Sequence, residues 1–234
     1  MATRAVEITW LGHATFLLKS RGKTILIDPW VQGNPACPKR FHDIPALDAI
    51  LITHGHFDHV GDTVAIAKRL EPQVVANYET ATWLEGKGVR NTVSMNKGGT
   101  VEVAGARVTM VAADHSCGIL DDGRIVYGGA AAGFVVEFPG PYRIYHAGDT
   151  NGFGDMRLIG ELYRPDLALL PIGGHYTMGP IEAAHAVRLL GVREVVPMHF
   201  GTFPALAGTP AALRGHLADR PEVQVRELEP GGSL

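Results

Sequence analysis

The 234-residue chain predicts an α+β fold in which two packed β-sheets are flanked by helices. Three features carry that expectation. Short runs rich in β-branched and aromatic residues recur along the whole length, turn signals separate them, and only a few stretches place apolar residues at helical spacing. Many strands with few helices bury their apolar faces by packing sheet on sheet under helical cover. No repeat, low-complexity tract or composition shift divides the chain. With 46% hydrophobic content it can build one core, so 1–234 reads as a single domain.

The opening segments 6–10, 14–18 and 24–28 read as a meander, with Ser20-Arg21-Gly22-Lys23 as the turn before the third strand. Pro29 halts that strand, and a Pro-rich loop over 31–45 leads to a strand that ends at Thr53. Val64, Ile66, Ala67 and Leu70 recur at helical spacing and predict a helix over 61–70 that stops before Pro72. Further strands are expected at 73–76, 100–103, 107–112, 134–138, 142–145, 167–170 and 194–197. Helices are expected at 155–163, 181–190 and 211–218, the second with Pro180 suited to its first turn. The glycine-rich, aperiodic stretch 118–133 reads as a hairpin loop or flap.

Charge narrows the partners. The 21 Lys and Arg against 24 Asp and Glu give a net charge of −3 without runs of either sign, which does not suit a surface that tracks nucleic-acid phosphates. No apolar stretch approaches the roughly 18 residues of a membrane span, and the charged start Met1-Ala2-Thr3-Arg4-Ala5-Val6-Glu7 does not read as a signal peptide. Cys37 and Cys117 are too few for a disulfide framework. A cytoplasmic protein acting on a small molecule is expected, with homo-oligomer formation left open.

The segment Thr53-His54-Gly55-His56-Phe57-Asp58-His59 concentrates three imidazoles and a carboxylate directly after the apolar run Ala49-Ile50-Leu51-Ile52. In extended chain, His54 and His56 project to the same side and can grip one ion, while Asp58 and His59 can reach a second. Mixed imidazole and carboxylate donors point to a transition-metal hydrolytic centre more than to calcium. Downstream, His115, Asp149 and His199 each follow an apolar run, where a rigid strand meets a loop open to substrate. Asp114 competes with His115 as a ligand, and the imidazole is preferred.

The motif His54-x-His56-x-Asp58-His59, followed in order by His115, Asp149 and His199, resembles the metallo-β-lactamase superfamily over most of the chain. Trp10-Leu11-Gly12-His13-Ala14-Thr15-Phe16 and Gly173-Gly174-His175-Tyr176-Thr177-Met178-Gly179-Pro180 are similar to its branch of small stand-alone metal-dependent hydrolases related to ascorbate-6-phosphate lactonases. The resemblance implies a four-layer αββα sandwich of two mainly antiparallel or mixed sheets. It also implies His54, His56 and His115 on one divalent ion, Asp58, His59 and His199 on a second, and Asp149 bridging them around a shared hydroxide. Zinc is favoured, with manganese, nickel or iron as alternatives. Two ions roughly 3.5–4 Å apart generate a nucleophile and stabilise the developing oxyanion, and zinc lowers the pKa of bound water from about 15.7 to about 7. His56 stands where the superfamily's diiron oxygen-reducing branch carries Glu, which favours hydrolysis. Asp149 and the lack of an export signal disfavour antibiotic hydrolysis.

The reaction implied is attack on an ester, lactone or phosphodiester of a small, anionic substrate, with Asp58 passing a proton to the leaving group. His13 and His175, flanked by glycines that let backbone approach a ligand, are candidates to bind the substrate or its oxyanion. The plainer reading packs His13 under the site and caps a loop with His175. Asp28, Thr53, His146 and Thr150 are candidates to orient metal-bound imidazoles. The rival readings are an RNA or nucleotide phosphodiesterase of the same superfamily, and a non-catalytic protein that uses metal for stability.

Overall fold

The computed structural model describes residues 6–234; the reading of residues 1–5 as part of a chain start without a leader lies outside them. The first sheet contains β1 (Glu7–Trp10), β2 (Phe16–Ser20), β3 (Lys23–Ile27), β4 (Ala49–Leu51), β5 (Gln73–Asn77) and β6 (Thr92–Met95), side by side in chain order. Its first three strands pair antiparallel, and from β3 to β6 they run parallel. The second sheet begins with β7 (Thr100–Val103) and β8 (Ala106–Ala112). A separate hairpin follows, β9 (Gly118–Asp121) and β10 (Arg124–Tyr127), and then β11 (Ala132–Phe138), β12 (Tyr142–His146), β13 (Leu167–Pro171), β14 (Glu194–Met198) and β15 (Gln224–Val225). Its order is β15-β14-β13-β12-β11-β8-β7, parallel from β12 to β15 and antiparallel elsewhere. Both sheets are mixed: one side of each, β3 to β6 and β12 to β15, is parallel and needs long crossovers, helical in all but the β3–β4 loop, whereas the antiparallel strands can return through shorter connections.

The helices are α1 (Phe57–Val60), α2 (Thr63–Leu70), α3 (Tyr78–Gly86), α4 (Met156–Tyr163), α5 (Pro180–Leu190) and α6 (Pro210–His216). Side-chain alternation sorts each strand between two cores. Ile25 and Ile27 join Phe16, Leu51, Val108, Phe134, Ile144 and Met198 between the sheets, while Leu26 joins Ile50, Val74 and Ile66 beneath the helices on the outer face. Across the other sheet, Val135, Tyr145 and Leu170 pack against Ile159, Ala183 and Val187 of α4 and α5. The result is the αββα sandwich expected from the sequence, and strands buried on both faces explain the unbroken apolar runs.

One boundary differs from the sequence expectation, and two loops keep their expected character with short regular elements inside them. The helix expected over 61–70 is α2, which starts at Thr63, and a further one-turn helix that was not expected, α1, precedes it inside the histidine motif. Asp62, at the start of α2, accepts the Val31 and Gln32 N–H groups at 2.6 and 2.9 Å, which ties the Pro-rich loop to the helix. The stretch 118–133 forms the β9–β10 hairpin and the start of β11. The loop over 31–45 carries one 3-10 turn, Lys39–Phe41. The elements α3, β6 and β15 had no counterpart in the sequence reading.

Beyond β15 the chain crosses to the first sheet. Ile8 and Leu234 exchange N–H···O bonds at 3.2 and 3.0 Å, Trp10 N–H reaches Gly232 O at 3.1 Å, and Gly231 N–H reaches Trp10 O at 2.6 Å. This tail lies against the outer edge of β1. No helix among the described residues is long and apolar enough to cross a membrane.

Candidate metal centre

Strand ends at one rim of the sandwich deliver the site. His54 and His56 follow β4, with Asp58 and His59 on α1. His115 follows β8, Asp149 follows β12 and His199 follows β14. The first four come from one sheet and the last three from the other, so the ligands meet only when the sheets are packed.

Their atoms converge. His54 Nε2 and His56 Nδ1 are 3.0 Å apart, and with His115 they form one group of ligand atoms within 4.8 Å of one another. Asp58, His59 and His199 form a second such group, which His13 joins. Asp149 Oδ2 connects them, lying 2.9 Å from His199 Nε2, 3.2 Å from His59 Nε2, 3.8 Å from His115 Nε2 and 4.0 Å from His54 Nε2. Yet His59 Nε2, both ring nitrogens of His199 and Asp149 Oδ1 are buried with no hydrogen-bond partner. These approaches are Coulombic rather than aligned hydrogen bonds. Ligand atoms that converge in a dry pocket without aligned hydrogen-bond partners are satisfied when a cation takes the place of the protons between them, so the donor set fits metal.

The supporting contacts select the tautomers. Asp28, fully buried at the end of β3, accepts from Thr53 N–H at 2.8 Å and Thr53 Oγ1–H at 2.7 Å. Its Oδ2 also takes the proton of His59 Nδ1 at 2.7 Å, which leaves Nε2 free to coordinate. Thr53 Oγ1, its own proton given to Asp28, accepts from His54 Nδ1 at 3.0 Å and frees His54 Nε2 in the same way. Ser116 Oγ stands 3.3 Å from His56 Nε2, opposite the nitrogen that faces His54. His146, by contrast, is turned inward, Nε2 donating to Ala14 O at 2.9 Å and Nδ1 accepting from Gly148 N–H. Thr150 Oγ1 accepts from Asp114 N–H at 3.0 Å, holding the loop that carries His115.

Charge follows burial. Desolvation and its imidazole neighbours push His54 well below the usual histidine range, and burial also lowers His56 and His115. Burial works against the charge of His59 and His199 too, but the carboxylates outweigh it: Asp149, Asp28 and Asp58 hold His59 well above its usual value, and Asp149 with Asp58 lifts His199 to about 9. Asp149 and Asp58 are held far below the carboxylate range by the same imidazoles, against the penalty of burial.

His13 and His175 part company. His13 is fully buried in a left-handed turn, with φ +56°, and its ring lies 3.8 Å from that of His199. Nε2 reaches Asp58 Oδ2 at 2.9 Å and Nδ1 reaches Thr202 Oγ1 at 3.0 Å. It sits behind Asp58, beneath the cleft. His175 is exposed at φ +59°, stacks edge-on against Tyr176 and does not line the cleft at the centre. That cleft encloses about 810 Å³ and is lined by His56, Asp58, His115, Asp149 and His199 at its floor.

The family model described as beta-lactamase superfamily domain matches residues 23–200. The chain belongs to the beta-lactamase superfamily. Within this superfamily it is similar to UPF0173 metal-dependent hydrolases from Koribacter versatilis, 53% identical over 99% of this chain and 98% of its relative, and from Solibacter usitatus, 55% identical over 97% and 98%. Among solved structures it resembles Igni18, a metallo hydrolase from Ignicoccus hospitalis, with TM-score 0.86, 35% identity and coverage of 98% of this chain and 97% of the other. This superfamily member is accordingly a metal-dependent hydrolase.

The sequence reading did not find the cleft's other walls. Phe57, Ser116, Tyr176, Phe203, Pro204 and Ala205 line it, and Thr202 supports His13. Phe57 lay in plain view between two ligands, but an isolated aromatic carries no signal of which way it faces.

Proposed function

We propose that this hydrolase is dinuclear and cleaves an ester, lactone or phosphodiester bond of a small molecule in the cytoplasm. The observation that carries this reading is the pair of ligand groups, His54, His56 and His115 against Asp58, His59 and His199, joined through Asp149. A structural ion closes on four ligands, so seven donors with a cleft above them support two ions accessible to substrate. Two bound divalent ions, zinc first among the candidates, supply a nucleophile from water near neutral pH and stabilise an oxyanion.

The chain's own groups do the rest. Asp28 fixes the rotation of His59 directly and of His54 through Thr53. His13 holds Asp58 Oδ2 from behind, and the Asp58 side chain, 13% exposed and kept ionised, faces the cleft where it can take a proton from the attacking water and pass it to the leaving oxygen. The two free, buried cysteines suit a reducing compartment. An anionic substrate would be drawn by the ions alone, since no lysine or arginine among the described residues lines the cleft.

Elemental analysis should return two ions per chain, and a screen of esters, lactones and phosphodiesters should find turnover. His56→Ala and Asp149→Ala should each reduce it at least ~1000-fold while the fold persists by circular dichroism. One ion per chain, or full activity in a folded Asp149→Ala protein, would overturn the dinuclear reading.

A further inference from the structure

The cleft over the metal centre is divided by chemistry. Beside the candidate ligands and Ser116, its remaining lining is Phe57, Tyr176, Phe203, Pro204 and Ala205, a group whose only side-chain polar atom is the Tyr176 hydroxyl. Phe57 and Tyr176 are 56% and 61% exposed, an unusual condition for large apolar rings beside a site that binds ions.

Phe57 and Phe203 are buttressed from behind. Trp30, buried behind the wall, stacks on Phe203 with centroids 5.9 Å apart and meets Phe57 edge-on at 5.7 Å. Trp30 is itself fixed, since a Cβ on Gly33 would stand 2.8 Å from its Nε1. A supported aromatic wall keeps its shape without a ligand, so it offers apolar contact at little ordering cost. A substrate with a phosphate or carboxylate on its body would leave that charge desolvated against Phe, Tyr and Pro with no cationic partner.

We infer that the substrate is a neutral carboxylic ester or lactone with an apolar body, seated by Phe57, Tyr176 and Phe203 while its acyl group meets the floor; this rests on the hydrolase reading above. In the reaction, water oxygen bonds to the acyl carbon and the acyl C–O bond breaks. The alcohol oxygen takes one proton, and the acid formed releases another at neutral pH.

One matched pair of esters and one inert probe test this in the metal-loaded protein. The first is 4-nitrophenyl butyrate against the 4-nitrophenyl half-ester of glutaric acid, which adds only a carboxylate to the acyl tail. The second is the inert anilide of butyric acid, whose binding is followed by saturation-transfer NMR without any turnover. The butyrate should show a KM about tenfold below the half-ester. Tyr176→Ala and Phe203→Ala, at wild-type metal content, should each raise the butyrate KM and the anilide Kd about tenfold. Phe203→Lys should reverse the preference toward the half-ester. An equal or lower KM for the half-ester in the wild type, or unchanged anilide binding in both alanine variants, overturns the inference. If neither ester turns over but anilide binding still falls in the variants, the hydrolase reading fails and the apolar seat stands.

Discussion

Asp28 carries more of the site than any residue outside the ligand set. It sits in the left-handed region at φ +49°, fully buried, and one carboxylate takes three donors: Thr53 N–H, Thr53 Oγ1–H and His59 Nδ1–H. In Asp28→Asn one oxygen becomes an NH2 that cannot accept, so at least one of these donors is left facing another. Metal affinity is expected to fall ~10–100-fold, read by competition with a coloured chelator; unchanged affinity would remove Asp28 from this role. The imidazoles also give the metal-free protein a pH signature. The His199 pKa is raised from 6.5 to about 9, so its pairing with Asp149 contributes fully below 6.5 and is lost as pH climbs toward 9. Asp149 is depressed below 3.8, so its contribution is present above that value and lost as pH falls beneath it. The metal-free melting temperature should therefore decline between pH 6.5 and 9, while that of the loaded protein stays nearly level because ions take the place of the protons. Equal slopes would show that the pairing does not contribute.

At the scale of elements, the β9–β10 hairpin and the histidine loop are interlocked. A Cβ on Gly55 would fall 2.4 Å from Ile119 Cγ1, the Gly55 N–H points to Cys117 Sγ at 3.3 Å, and Cys117 Sγ–H reaches Gly128 O at 3.0 Å. Gly55→Ala is expected to cost about 1–3 kcal/mol by urea denaturation, and adding Ile119→Ala should recover part of it as the space reopens. No recovery would mean that the clash is not with Ile119. The same neighbourhood shows what could be read from sequence. Two-sided burial leaves strands as apolar runs, which made most of β1 to β14 visible, and ligand chemistry at their ends is written in residue types that seldom cluster otherwise. The four residues of α1 are too few to establish a period, so Asp58 and His59 read as loop. The helix α3 begins where Asn77 accepts Thr80 N–H, but its Thr-rich, weakly amphipathic sequence hid it. Phe203 and Tyr176 are indistinguishable from core aromatics until the loops are placed.

For the whole molecule, ligands drawn from both sheets make the ions a clamp across the inter-sheet core. Stripping them should leave the αββα sandwich formed, since Phe16, Phe134 and their neighbours remain buried, but should lower its stability. At free metal about 100-fold above Kd each ion contributes about 2.7 kcal/mol, so loss of both lowers the melting temperature by roughly 11–22 °C. A melting curve insensitive to chelation would mean that the two halves of the site do not share an ion. The tail over 231–234 has a different consequence. Without it, the amides of Ile8 and Trp10 would face solvent along an open, apolar strand margin of the kind that recruits strands from other molecules. A chain shortened by those few residues should keep its active site and yet turn cloudy on concentration, because the segment serves as a built-in guard against polymer growth.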